Sequence, residues 1–277
     1  MDTQVASAAA IQADPPLVTP PAVEIRGVSV RYGDRPALDS VTLSVPQGQL
    51  VAIVGPNGAG KSTLFKALVD LAPLESGEVR IFGRPTRQRS AAEVSYVAQR
   101  GEFDWRFPVH VEDVALMGRY PHLGWFRRPG AADRRAARAA LERVGMADLA
   151  DRQIGQLSGG QQQRIFLARA LAQEARLVLL DEPLSGVDAV AEQVIFDILA
   201  QLQAEGKTVL VATHDLNMAL SHFSHAAALN RGLIAYGRTA DVLTPEILRQ
   251  TYGSQVMVLG DGPAPRALIG DGCGRLD

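Results

Sequence analysis

The sequence predicts an α/β fold in which a parallel sheet carries an N-terminal antiparallel β region and an inserted helical lobe. Three observations carry that expectation. "LVAIVG", "RLVLLDEP" and "TVLVATHD" are continuous apolar runs of strand length ending in polar residues, as buried parallel strands do. Residues 23 to 51 instead alternate in short runs, "VEIRGVSVRYG" and "ALDSVTLSVPQGQ", broken by turn residues in the manner of antiparallel strands. The stretch from about 100 to 165 lacks strand signals and reads as helices inserted into the α/β core.

Taken in order, the first 21 residues lack a basic start and carry Asp2 and Asp14, which argues against a secretory signal and leaves a disordered Ala/Pro arm. The folded unit is expected over residues 22–255. Within the lobe, residues 133 to 149, "DRRAARAALERVGMADL", place Ala137, Leu141 and Val144 on one helix face and arginines on the other. "QLSGGQQQR", Gln156 to Arg164, is a helix start, because Ser158 with Gln161 three residues on forms a capping box. Gly159 and Gly160 then bare backbone amides at the positive end of the helix dipole, which makes an anion site. Residues 256–277 read as a flexible, Gly-rich tail. No internal repeat is present.

Composition removes several functions. A chain of 277 residues can bury one large core, and its net charge of -2 argues against a nucleic-acid partner. The arginine run "FRRPGAADRRAAR" fits a solvated helix face near lipid headgroups better than a nucleic-acid site. The single cysteine, Cys273, excludes an intramolecular disulfide and suits a reducing cytosol. No uninterrupted apolar run reaches the length of a membrane-spanning helix. His222 and His225 have helical i, i+3 spacing, yet no cysteine or carboxylate completes a metal set around them, so no metal site is expected there.

The strongest chemical signal is "GPNGAGKST", directly after the strand "LVAIV". It is a phosphate loop. The loop of Gly55, Pro56, Asn57, Gly58, Ala59 and Gly60 would wrap phosphates with the backbone N–H groups of its residues other than Pro56, while Lys61 and the hydroxyls of Ser62 and Thr63 would hold phosphate oxygen and Mg²⁺. Asp181, at the C-terminal end of "LVLLD", would hold the same ion directly or through water. Glu182 is then the natural base for an attacking water. His214 follows the third apolar strand and can reach the γ-phosphate or the water as a donor.

Together with Tyr32 in "RYG", Gln99 in "YVAQ", "LSGGQQQR", and Asp188 in "SGVD", these motifs fall in an order that resembles the nucleotide-binding subunit of ATP-binding cassette (ABC) transporters over about residues 23 to 253. The resemblance implies a P-loop ABC-type ATPase domain that hydrolyses ATP with Mg²⁺ held by Ser62, Gln99 and Asp181. It also implies that Tyr32 stacks on adenine, that Gln99 senses the ion and the membrane partner, and that Asp188 communicates across a dimer. Two cassettes would pack head to tail as a homodimer, so that Ser158, Gly159, Gly160 and Gln161 close over the γ-phosphate of the partner's loop. The resemblance also implies a peripheral place at the cytoplasmic face of the cell membrane, with two polytopic membrane permease subunits as partners and, indirectly, an extracytoplasmic solute-binding protein.

"DWRFPV" followed by "MGRY" is similar to the manganese, zinc and iron importer branch of that family. The same segment holds both tryptophans, Trp105 and Trp125, with Phe103, Phe107, Tyr120 and Phe126. Such clustered aromatics suit a pocket receiving a partner helix, although about half are expected to fill the lobe's own core. Other cargo, such as an iron chelate or cobalamin, an exporter, and a non-transport assembly ATPase are the alternative readings.

Overall fold

The structure, a computed structural model, describes residues 19–99, 108–123, 127–253, 256–259 and 266–269. In chain order the elements are β1 (Val23–Tyr32), β2 (Arg35–Val45), β3 (Leu50–Val54), α1 (Lys61–Leu68), β4 (Leu74–Ile81), β5 (Arg84–Pro85), β6 (Val94–Val97), α2 (Val111–Met117), α3 (Ala131–Arg143) and α4 (Gly159–Ala172). They continue with β7 (Leu177–Asp181), α5 (Ala189–Ala204), β8 (Thr208–Thr213), α6 (Leu216–His222), β9 (His225–Asn230), β10 (Gly232–Arg238), α7 (Thr239–Val242), α8 (Pro245–Tyr252), β11 (Val256–Leu259) and β12 (Arg266–Ile269).

Two sheets organise the core. The antiparallel one runs β2-β1-β4-β5, and the second runs β10-β9-β3-β8-β7-β6, parallel except for β10. Alternation along the central strands divides the interior. Val51 and Ile53 of β3, with Leu177 and Leu179 of β7, face Leu64, Phe65 and Leu68 of α1 and the antiparallel sheet. Ala52, Val54, Val178 and Leu180 face the helices on the other side. The three apolar runs are therefore strands buried on both faces, which is why they show no polar alternation.

The lobe enters between β6 and β7, strands that are neighbours in the sheet. Ala137, Leu141 and Val144 are buried as their spacing requires. Helix α3 itself starts at Ala131 and stops at Arg143, earlier than the apolar pattern extends, because Gly145 takes a left-handed φ of 66° that the next turn needs. Within "MGRY", a Cβ on Gly118 would lie 2.1 Å from the Arg169 carbonyl oxygen of α4, so glycine permits this close approach. Arg119 then straps the lobe, donating to Asp133 at 3.2 Å, Glu174 at 2.7 Å and the Ala172 carbonyl at 2.8 Å.

Three expectations change. The arm does not extend to residue 21, since the Pro20 carbonyl accepts from Gln47 Nε2 at 2.6 Å and Ala22 is buried; residues 1–18 lie outside the described ones. Residues 256–277 are not wholly a tail, because β11 and β12 pair as an antiparallel hairpin. Each is a short apolar-rich run, "VMVL" and "RALI". His222 and His225 do not share a helix: His222 ends α6 and stacks on Phe196 at 3.7 Å, while His225 opens β9.

Candidate nucleotide site

Strands β3, β7 and β8 end level with one another. Val54 pairs with Thr213 and Asp181 with Ala212, so the residues that follow emerge on one edge of the sheet. Ligands of open α/β sheets bind at this carboxyl edge.

From β3 the chain turns through Gly55–Gly60 into α1, and two glycines there answer to measurable crowding. A Cβ on Gly55 would lie 2.1 Å from the Leu229 carbonyl oxygen. Gly60 caps α1 at φ 97°, with the Ala37 carbonyl oxygen 2.5 Å from where its Cβ would be. Lys61 opens the helix almost fully buried and donates to the carbonyls of Gly55 at 2.7 Å and Pro56 at 3.1 Å. Burial pushes its amine below the ordinary lysine value, and the carboxylates of Glu182 and Asp181 oppose that shift. Ser62 and Thr63 follow, both half-buried.

The two acids after β7 are placed differently. Asp181 is the buried last residue of the strand, and Tyr96 Oη donates to its Oδ2 at 3.5 Å. Glu182 leaves the strand at a left-handed φ of 49°, an unfavourable conformation for a non-glycine residue, and its N–H donates to the Ala212 carbonyl of β8 at 3.0 Å. That turn aims the Glu182 carboxylate along the sheet edge. Gln99 Nε2 donates to its Oε2 at 3.3 Å, and His214 Nδ1 lies 3.6 Å from its Oε1. Glu182 and His214 also line one cleft with Thr213 and Asp215. Lys61, Asp181, Glu182, Gln99 and His214 are thus brought together.

Other expected residues stand apart from that cluster. Ser158 caps α4, accepting from the Gln161 N–H at 3.4 Å, while Gln161 Oε1 accepts from the Ser158 N–H at 2.9 Å; both halves of the capping box are present. Asp188 caps α5, accepting from the Ala191 N–H at 2.8 Å. The two helix starts adjoin, since a Cβ on Gly160 would sit 3.7 Å from Asp188 Oδ2. Among the described residues, the hydrogen bonds and close approaches of Ser158–Gln161 go to their own helix and to 187–191, none to Gly55–Thr63. Tyr32, at the end of β1, presents a half-exposed ring. Trp105, Phe103, Phe107, Trp125 and Phe126 lie outside the described residues, and Tyr120 is exposed.

A strand, a glycine-rich turn with a buried lysine, and two successive carboxylates at the end of β7 form a phosphate-handling site, and a family model described as ABC transporter matches residues 38–185. The chain belongs to the ABC transporter family. The manganese transport system ATP-binding protein MntB of Bacillus subtilis is 49% identical over 86% of this chain and 95% of its own length. The zinc transport system ATP-binding protein TroB of Treponema pallidum is 48% identical over 85% of this chain and 88% of its own. Among solved structures, an inward-facing putative metal-chelate type ABC transporter superposes with a TM-score of 0.75 at 27% identity, covering 89% of this chain and 96% of that one. A dimeric bacterial ABC transporter cassette superposes with a TM-score of 0.69 at 28% identity, covering 78% of this chain and 98% of that one.

Reading the ABC sequence missed two contributors to the site. Tyr96 precedes Gln99 in the same motif but gives no sequence signal of its reach to Asp181. The β9–β10 turn, which supports the phosphate loop, follows the alanine-rich run "HAAALN", for which no strand was expected.

Proposed function

We propose that this ATP-hydrolysing cassette powers a membrane importer for a divalent metal ion, manganese, zinc or iron, working as a homodimer beneath two permease subunits. One observation supports the chemistry above all: Lys61, Asp181, Glu182, Gln99 and His214 converge on the level ends of β3, β7 and β8. The cargo reading draws on the manganese and zinc transport systems to which the relatives belong.

In this reading the amides of Gly55–Gly60 and the Lys61 ammonium bind the ATP phosphates, and Tyr32 offers its exposed ring to the adenine. Ser62, Asp181 and Gln99 are hard oxygen donors of the kind Mg²⁺ selects. They fit that ion: Asp181 is a carboxylate at the sheet edge, and Gln99, whose amide nitrogen engages Glu182, keeps its carbonyl oxygen for a metal. Bound there, Mg²⁺ would neutralise charge developing on the phosphate oxygens. Glu182 accepts the proton of the attacking water, held in place by Gln99 and by the His214 ring. His214 donates to the γ-phosphate or that water. In the dimer, the amides of Gly159, Gly160 and Gln161 with the Ser158 hydroxyl meet the partner's γ-phosphate, and Asp188, beside Gly160, reports closure across the interface.

The test is uptake by the cassette reconstituted with its permease, with manganese, zinc and iron in competition. ATP-dependent uptake of one of these ions, lost in Glu182→Gln, is the expected result. Uptake of an iron chelate or cobalamin instead, with none of the three free ions carried, overturns the cargo assignment and leaves the ATPase standing.

A further inference from the structure

Beneath the phosphate loop lies the turn between β9 and β10. Gly55 rests so closely on the end of β9 that a Cβ there would strike the Leu229 carbonyl. Two residues after Leu229, Arg231 donates its N–H to the Ala59 carbonyl at 2.8 Å, and its own carbonyl accepts from the Asp39 N–H of β2 at 3.0 Å. Strand β2 closes the other side, where the Ala37 carbonyl leaves no room for a Cβ on Gly60. The loop is thus seated on backbone at its start by Leu229 and at its end by Arg231 and β2.

Arg231 makes these contacts from a strained position. It holds a left-handed φ of 61°, a conformation that favours glycine, and its side chain is exposed while both contacts belong to its backbone. The carbonyl it serves is on a buried residue, Ala59, where an unpaired oxygen would be costly. The Ala59 C=O and the Gly60 N–H share one planar trans peptide, so they point in opposite directions. Drawing the carbonyl down onto Arg231 therefore turns the Gly60 N–H to the opposite face of the loop, away from the turn.

We infer that Arg231 is a positioning residue for nucleotide binding: its left-handed backbone, by holding the Ala59 carbonyl, orients the Gly60 N–H to receive phosphate. This rests on the reading that Gly55–Thr63 holds the nucleotide. Asn230 keeps the turn in place, its Nδ2 donating to the Thr251 carbonyl of α8 at 3.0 Å. Asp181, Glu182 and His214 stand on or directly after β7 and β8, outside this contact, so the effect falls on affinity rather than on turnover.

The experiment compares Arg231→Val, Arg231→Gly, Arg231→Asn, Asn230→Ala and Lys61→Ala in the full chain by MgATP titration, steady-state hydrolysis and thermal melting. The three Arg231 variants lose the same guanidinium and differ in backbone preference: glycine and asparagine accept a left-handed φ, while β-branched valine resists it. Arg231→Val is expected to raise the Kd and KM for MgATP by about three- to tenfold, with kcat within about twofold of wild type. Arg231→Gly and Arg231→Asn should restore both constants to within about twofold of wild type. Asn230→Ala, at an exposed position, should raise the Kd by about two- to threefold, and it decides the matter if Arg231→Val does not fold. An unchanged Kd in Arg231→Val, with or without a lower melting temperature, overturns the inference. Equal losses in all three Arg231 variants also overturn it, since they would assign the effect to the guanidinium. Lys61→Ala separates the two levels. If it loses ATP while Arg231→Val binds normally, only the positioning role fails; if it binds ATP like wild type, the phosphate-loop reading itself fails.

Discussion

Exchanging Glu182 for glutamine changes one oxygen to an NH₂ group and leaves the shape of the side chain intact. The structure sets what should be lost. Gln99 Nε2 can still donate to the remaining amide oxygen, as it now does to Oε2 at 3.3 Å. The pairing with His214 at 3.6 Å weakens, but that ring is 58% exposed and the interaction is screened, worth less than about 1 kcal/mol. For a chain of this size that corresponds to a melting shift of no more than about 4 °C. Binding should survive as well, because Lys61 and the loop amides are untouched. Hydrolysis is different: the water loses its proton acceptor, and turnover should fall by about 10² or more, equivalent to about 2.7 kcal/mol of transition-state stabilisation. Single-turnover hydrolysis, ATP titration, a melting curve and a sizing column measure these separately, the last revealing an accumulated ATP-bound dimer. Near-normal hydrolysis in Glu182→Gln would remove the residue from its role.

Further expectations follow from the same geometry. Burial holds the Lys61 pKa below 10.5 and phosphate would raise it, so ATP binding should take up a proton and weaken as pH climbs through the lowered value; Lys61→Arg should flatten that slope. Fold stability should run the other way over that window, rising with pH because the unfolded chain binds the extra proton. Trp105→Ala and Phe107→Ala should weaken assembly with the permease by about 1 to 3 kcal/mol at unchanged ATP affinity, whereas several degrees lost from the melting temperature with normal assembly would make them lobe core. In a mixed dimer of Lys61→Ala and Ser158→Arg chains, a trans arrangement leaves one intact pocket and traps about one ATP per dimer, while a cis arrangement traps about none.

Much of this site is written locally. The capping box at Ser158 and Gln161 closes as its spacing requires, because both partners lie within one helical turn. The strand ends carrying Gly55, Asp181 and His214 are equally legible, since strands buried on both faces leave uninterrupted apolar runs. What sequence did not convey depends on pairing at a distance. "HAAALN" has no strong strand propensity and becomes β9 only because β3 offers it a parallel edge. Asp181 and Glu182 are adjacent acids in the sequence and unlike in space: one ends a strand, while the other turns through a left-handed φ. The β11–β12 hairpin was hidden by the glycines and prolines around it.

Those differences also bear on how a partner could act on the chemistry. Asp181 belongs to a buried strand, Lys61 to the first turn of α1, and His214 directly follows β8, so three parts of the site are fixed by the sheet. Gln99 is not. It lies just beyond β6, exposed, at the point where the chain leaves for the lobe, and its link to Glu182 is a single long hydrogen bond of 3.3 Å. A force applied to the lobe meets a body strapped by Arg119 across α3 and the end of α4, with Gly118 packed on the α4 backbone, and such a body moves as a unit more readily than it deforms. In the proposed importer, Gln99 is therefore where permease docking can change the orientation of Glu182 without disturbing the phosphate loop. Hydrolysis would then respond to the membrane partner while the phosphate loop stays braced from the other side, by the end of β9 beneath Gly55 and by the Arg231 N–H on the Ala59 carbonyl.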